Sequence, residues 1–528
     1  MPPTATVSPT LTQAPALRLR SWLLRGMALI LALLFGLYGL VAIDAARVNA
    51  HAAGNAEVAA LRMAALHSAE SGRPDASTRT LWQHSSLGMA SLSQLTSPRY
   101  AYGDDGLMPT LIYYAEMPRG NALVLALHNL LGGICMLFGG LQFWPAFRRR
   151  YPRWHRGFGM VYVLAAQVGM VAAIVYLLRT PVAHIYDNLT FFLGLWLLAI
   201  GTTLTLWLAM YHLWRRQIAQ HQAWMALNYG FLLTAPMLRF GWVLLGWLDP
   251  TLRQLEGNYA VTAWLIPLCF LSGYGLFTLN RWQQASRPAS MWLRYPLAER
   301  LGRLLAAVGV LVCIAAALTT VQHYLLSPGL AHAAGALAVT PPALLALDNQ
   351  VIAGNSLLRY FFSLCTIAGL LLGARMLWKT FVKAGHTKTA TTWGLVLAAT
   401  GAGAVMLCWA LQMGLPSFAT LSGGAGYGFG AFATLGFAGL TALGLRQQAQ
   451  AWTREWEVFL LICLLGQPLF FWLLPVMAHL DLAHISVAPE WIKAGHLFRL
   501  ASYGQWFPLL VGFVCSMYGS ATRQKFAR

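Results

Sequence analysis

Negative charge is what this chain has least of: 16 Asp and Glu stand against 36 Lys and Arg, and charged residues of all kinds make up 10% of the 528. A soluble chain of that length needs far more charge to cover its surface, so a bilayer is the expected solvent. Cysteine motifs are missing as well. Cys135, Cys269, Cys313, Cys365, Cys408, Cys463 and Cys515 are scattered through apolar runs, with no C-x-x-C for zinc and no C-x-x-C-H for covalent haem. They read as small buried hydrophobes. Carboxylates are also absent from the middle of the apolar runs, since Asp44, Asp187, Asp249, Glu455 and Glu457 lie at run ends. That counts against ion-coupled transport, which places acids near the midplane. No soluble flavin or nucleotide domain is present, so any electron donor is expected to be a separate protein.

What remains is a succession of apolar runs. Six lie near 22–43, 121–147, 158–178, 189–213, 224–248 and 259–280, and six more near 301–322, 356–379, 391–413, 427–446, 456–477 and 500–520. Each is about the ~20 residues that a ~30 Å hydrocarbon core requires of a helix. The expected fold class is therefore an all-α polytopic membrane protein of about 12 transmembrane helices. A net charge of +20 would suit a nucleic-acid partner, but the basic residues sit in short clusters on every second connection. These are Arg148 to Arg150, Arg215-Arg216, Arg281 to Arg303, Lys379 to Lys388, Arg446 to Arg454 and Arg523 to Arg528. Such alternation is an orientation signal, so no nucleic acid is expected and both termini are expected in the cytoplasm. Residues 1–20 read as a cytoplasmic tail; the run near 22–43 is long enough to be an uncleaved anchor rather than a signal peptide.

The two halves look alike, as two parallel six-helix repeats would. Gly120-Asn121 opens a run after the long outer segment 44–120, and Gly354-Asn355 opens its counterpart after 323–355. Trp224 and Pro236 recur as Trp456 and Pro468, an offset of 232, and a matched proline predicts a matched kink. The expected organisation is a first repeat over 21–285, a cytoplasmic linker over 286–300 and a degenerate second repeat over 301–528. Segment 44–120, with Asp104-Asp105 and Glu116, is expected to form a small periplasmic cap.

Histidine is the ionisable residue that enters the runs. His128 lies within the second run and His184 follows the third, both towards the outer leaflet. His155 opens the third run and His221 the fifth, both at the inner side. Two histidine pairs at two depths in a helical bundle are how b-type haems are held for electron transfer across a membrane. Arg239, at a depth similar to that of His128, needs an anionic partner, which a haem propionate, an anionic substrate or a quinone carbonyl would supply. Blander roles compete: headgroup or backbone contacts for His155 and His221, a loop role for His184, helix packing for Arg239. Under the local offsets His128 faces Phe362 and His221 faces Thr453, while His386 answers His155, so the second half is expected to have lost a haem site. His479, His484 and His496 surround the last outer loop without a zinc spacing.

The stretch Arg148-Arg149-Arg150-Tyr151-Pro152-Arg153-Trp154-His155-Arg156-Gly157-Phe158-Gly159 and the stretch Arg215-Arg216-Gln217-Ile218-Ala219-Gln220-His221-Gln222-Ala223-Trp224-Met225 are distinctive. With His128, Gly139 and Arg239 they resemble the bacterial membrane-protein family called domain of unknown function 2306, over about residues 120–250. The resemblance implies a four-helix membrane module at 120–250 and makes His128, His155, His221 and Arg239 pattern positions; it implies no activity. The leading expectation is a redox protein of the bacterial inner membrane that binds b-type haem or quinone in helices two to five. A transporter or lipid-handling permease is the alternative, followed by a non-catalytic membrane subunit or assembly factor docking through 44–120.

Overall fold

A computed structural model describes residues 21–53, 117–283, 296–383, 388–480 and 495–521, with residue 60 and short pieces inside 55–57, 94–97 and 100–101. Among these residues 12 helices are long and apolar enough to cross a membrane. In the first half they are α1 (Ser21–Ala52), α2 (Arg119–Gln142), α3 (Pro152–Arg179), α4 (Asn188–Trp214), α5 (Ile218–Leu232 and Thr234–Leu248) and α6 (Gln254–Gln283). In the second they are α7 (Pro296–Val321, extended by a π turn Gln322–Leu326), α8 (Ser356–Leu377), α9 (Thr389–Met413), α10 (Ala425–Arg446), α11 (Gln450–His479) and α12 (His496–Gly504 and Pro508–Ala521). Leucines and valines such as Leu164, Val171, Leu311 and Leu397 cover the outside, where a bilayer would meet them.

Each helix packs on the next in both halves. The halves meet where α6 contacts α10 and α12, and where α12 contacts α4 and α5. Two buried ion pairs tie them together. On the side carrying the arginine-rich connections, Arg281 of α6 donates to Glu455 of α11 at 2.6 and 2.9 Å, and the Tyr274 hydroxyl donates to the same carboxylate at 2.7 Å. On the opposite side, called the loop side below, Arg499 of α12 donates to both oxygens of Asp187 at 2.7 and 2.5 Å.

Several expectations change in detail. Glu455 and Glu457 lie near the start of α11, as their run-end positions implied, but both are buried: Glu455 holds Arg281, and Glu457 accepts from the Thr392 hydroxyl. Pro236 falls just after the interruption of α5 at Leu233, because its ring removes a donor from the next turn. Pro468 and Pro475 instead sit inside the continuous α11, so the helix is interrupted near its proline in the first half and not in the second. The connection 323–355 is not a plain loop: it folds into short helices, among them Ala336–Val339 and Pro342–Asp348, that pack on one another and on α8, α9, α11 and α12. Of segment 44–120, most lies outside the described residues, as do His386 and His484. The described pieces at 94–97 and 100–101 dock on the first half, with Tyr100 fully buried beside Trp242 and the Ser97 hydroxyl donating to the Pro250 carbonyl at 2.8 Å.

Candidate functional site on the loop side of the first half

Between α2, α3, α4, α5 and α6 lies a cavity of about 270 Å³. His128, His184 and Arg239, three of the residues singled out in the sequence, line it together. His128 is positioned by a close approach of α2 to α3: its Nδ1 lies 2.9 Å from the Gly169 carbonyl oxygen. A carbonyl only accepts, so Nδ1 carries the proton and Nε2 keeps its lone pair. Gly169 allows this approach, since a Cβ there would already meet Leu131 at 3.3 Å.

Arg239 lies within electrostatic reach of His128. Its guanidinium donates to the Ala235 carbonyl at 3.3 Å and rests over the Trp242 ring, 5.3 Å from the centroid. No carboxylate forms an ion pair with it among the described residues. The packing role weighed from the sequence is thus real, and the cation still borders the cavity.

His184 sits in a 3₁₀ turn, Val182–His184, that Pro181 starts and Ile185 ends. The turn is anchored by its neighbour Asp187, a residue that sequence reasoning left at a helix end. Asp187 has φ 57° and Asn188 φ 47°, both in the left-handed region that non-glycine residues avoid. Two attachments hold this backbone. Asp187 takes the Arg499 fork and accepts from the Asn258 amide at 2.8 Å; Thr190 Oγ1 lies 2.6 Å from His496 Nδ1. Arg499 also donates to the Thr262 hydroxyl at 3.0 Å and stacks over Tyr259 at 4.0 Å. Thr190, Thr262 and Tyr503 are themselves in the cavity wall, so the second half completes the site through α12. The available signal was Arg499 itself: an arginine at the start of an apolar run calls for an acid.

His155 and His221 lie on the arginine side, away from this cavity, and are close enough to interact electrostatically. His221 repeats the geometry of His128, with Nδ1 2.9 Å from the Ala209 carbonyl oxygen. His155 Nδ1 is buried with no hydrogen-bond partner among the described residues. Between the two levels the bundle is solid. The Tyr162 hydroxyl donates to Asn228 Oδ1 at 2.6 Å, and the Asn228 amide donates to the Thr202 carbonyl at 2.7 Å and to Thr205 Oγ1 at 3.1 Å. Gly139 lies under the Tyr229 ring, where a Cβ would come within 2.3 Å of it. Buried polar groups bonded this fully fix the register of α3, α4 and α5.

The remaining histidines do not gather. His479 bonds the Pro475 carbonyl at 2.6 Å and His496 bonds Thr190. Among the described residues no group of three or more His, Cys, Asp and Glu could hold a metal ion.

A family model described as Predicted membrane protein (DUF2306) matches residues 125–273. The matched stretch begins within α2, ahead of His128, and runs through α5 into α6, so it takes in all four of the sequence's pattern positions and one helix more than the resemblance implied. No curated protein and no solved structure matches the chain.

Proposed function

We propose that residues 119–283 form a redox module of a multi-pass inner-membrane protein, with the arginine side cytoplasmic, that binds b-type haem. The observation that carries this reading is the sorting of four histidines into two pairs at two levels. His128 and His184 border one cavity, and His155 faces His221 on the other side. In each pair one ring is tethered through Nδ1 to a backbone carbonyl, which leaves Nε2 as the donor atom. This is the orientation that iron-ligating imidazoles adopt, because the outer bond fixes the tautomer and raises basicity.

Haem bound there would supply one-electron exchange. The chain's own residues do the rest. His128 and His184 would hold the loop-side group, and Arg239 offers its carboxylates a cation that forms no ion pair with a carboxylate among the described residues. Leu125, Phe191, Leu198 and Ile266 supply apolar walls that exclude water. Arg148 lies near the inner pair, where it would face a second set of carboxylates. The second half, on this reading, is a degenerate counterpart that has become scaffold.

Quinone is the second reading, favoured by the cavity's size. About 270 Å³ lies just below the ~300–1,000 Å³ usual for organic ligands. That suits a quinone headgroup whose tail stays in lipid, with its carbonyls facing Arg239.

Pyridine haemochromogen assay of protein made with ample haem separates the two. Haem present, and reduced to about half in His128→Ala and in His155→Ala, is the expected result. Haem-free protein whose organic extract contains quinone would transfer the site to the second reading. Protein with neither would end both.

A further inference from the structure

The loop side of the second half holds a polar void unrelated to the histidines. The short helix Pro342–Asp348 ends inside it and runs on into the turn Asn349–Ala353, of which Val351 and Ile352 are buried. Asp348 is 3% exposed. Its Oδ2 accepts from the Leu330 backbone amide at 2.7 Å and packs against Gly329, whose φ of 98° and missing Cβ let the chain pass. Among the described residues no Lys, Arg or His forms an ion pair with it. A buried carboxylate with one amide for company is costly when ionised.

The void measures about 40 Å³, on the order of one to three water-sized spheres. Asp348, Tyr427, Ser422, Gln467, Ser502 and Gln505 supply its polar groups, set among apolar neighbours such as Leu330, Met413 and Phe470. Gln505 is the telling member. Its Nε2 donates to the Ser502 carbonyl at 2.8 Å, which fixes the amide, and its Oε1, in a side chain 3% exposed, has no partner. Among the described residues, a carboxylate without a cation and an amide oxygen without a donor line the same small void. Water could donate to both; above the carboxyl's own titration range, where no proton neutralises it, a cation would also compensate the charge.

We propose that this void binds a single sodium ion, with Asp348 as the charged ligand and Gln505 Oε1 as a neutral one. One carboxylate matches one positive charge, whereas calcium sites recruit several acidic oxygens. The titratable groups within reach of Asp348 are Tyr324 from α7 and Tyr427 from α10. His496 and Arg499 of α12 are engaged by Thr190 and Asp187. Burial pushes the Asp348 carboxyl up to about 6, so protons compete with sodium in mildly acid solution.

Thermal unfolding of the purified full-length chain tests this, with NaCl exchanged for choline chloride at constant ionic strength. At pH 7.5 the midpoint is expected to rise saturably with sodium. The response should vanish in Asp348→Asn, weaken at least tenfold in apparent affinity in Gln505→Leu, and shrink at pH 5. A wild-type chain indifferent to sodium overturns the site, as does a response to calcium alone. An Asp348→Asn chain that responds like wild type also overturns it. Should Asp348→Asn fail to fold, an unchanged sodium response in Gln505→Leu overturns it instead.

Discussion

His128 and Phe362, which the local sequence offsets pair, stand in opposite surroundings. In the first half α2 turns His128 towards a cavity, with only its Nδ1 tied down. In the second, α8 turns Phe362 into an aromatic cluster with Tyr324 and Trp409, at centroid distances of 4.9 and 4.7 Å. The helices behind them differ in the same sense. α11 is continuous and packs on α7, α8, α9, α10 and α12, so the second half closes around it. α5 is interrupted at Leu233 and meets α2 only along a short stretch, which leaves room between them. α2 thus borders a cavity in the first half, and α8 borders a packed aromatic cluster in the second. The decisive variable is which side chains face the bundle axis.

Breaking the link between the halves should have the largest effect. Asp187→Ala strands Arg499 in a buried site and is expected to cost about 3–5 kcal/mol, read as a fall in the unfolding midpoint in detergent. The double variant Asp187→Leu with Arg499→Leu should recover most of that loss, because it removes both charges.

The packed cluster and the cavity should answer truncation differently. Phe362→Ala empties a packed position and is expected to cost about 3–4 kcal/mol. His128→Ala loses one hydrogen bond beside an existing cavity and should cost about 1 kcal/mol of stability, while abolishing loop-side ligand binding. Equal losses in the two would mean the halves are equally sealed.

Acid sensitivity should belong to the second half. The Asp348 carboxyl, held at about 6 against an ordinary value near 3.8, binds its proton more tightly in the folded chain than in the unfolded one. Stability in sodium-free buffer is therefore greatest below about pH 4, declines by up to about 2–3 kcal/mol as pH rises to about 6, and then levels. Asp348→Asn removes that slope. A slope that survives the substitution would assign it elsewhere.

Gly139→Ala is the smallest of these changes. Its new methyl must displace the Tyr229 ring, for about 1–3 kcal/mol. The effect should fall on the first half alone, with the sodium response unaffected.

The helices were legible because run length and arginine spacing depend on composition alone. His128, His184 and Arg239 were legible because an ionisable residue in or beside an apolar run stands out. The Asp187–Arg499 and Arg281–Glu455 pairs were not, since their members lie 312 and 174 residues apart and look like ordinary helix ends. Asp348 was hidden for another reason: it lies in a connection that reads as a loop, and its burial comes from how 327–355 folds back onto α8, α9, α11 and α12. The paired prolines did not foretell a shared interruption, because Pro468 is carried within a continuous α11 whereas α5 is interrupted at Leu233. Packing partners, invisible in the local sequence, made that difference.

The central claim is that two tethered histidine levels in the first half hold haem. The reduced-minus-oxidised visible spectrum of the detergent-purified protein tests it most directly. The account predicts a sharp α-band on dithionite reduction, diminished in His128→Ala and unchanged in Phe362→Ala. A flat difference spectrum from protein made with ample haem would contradict it.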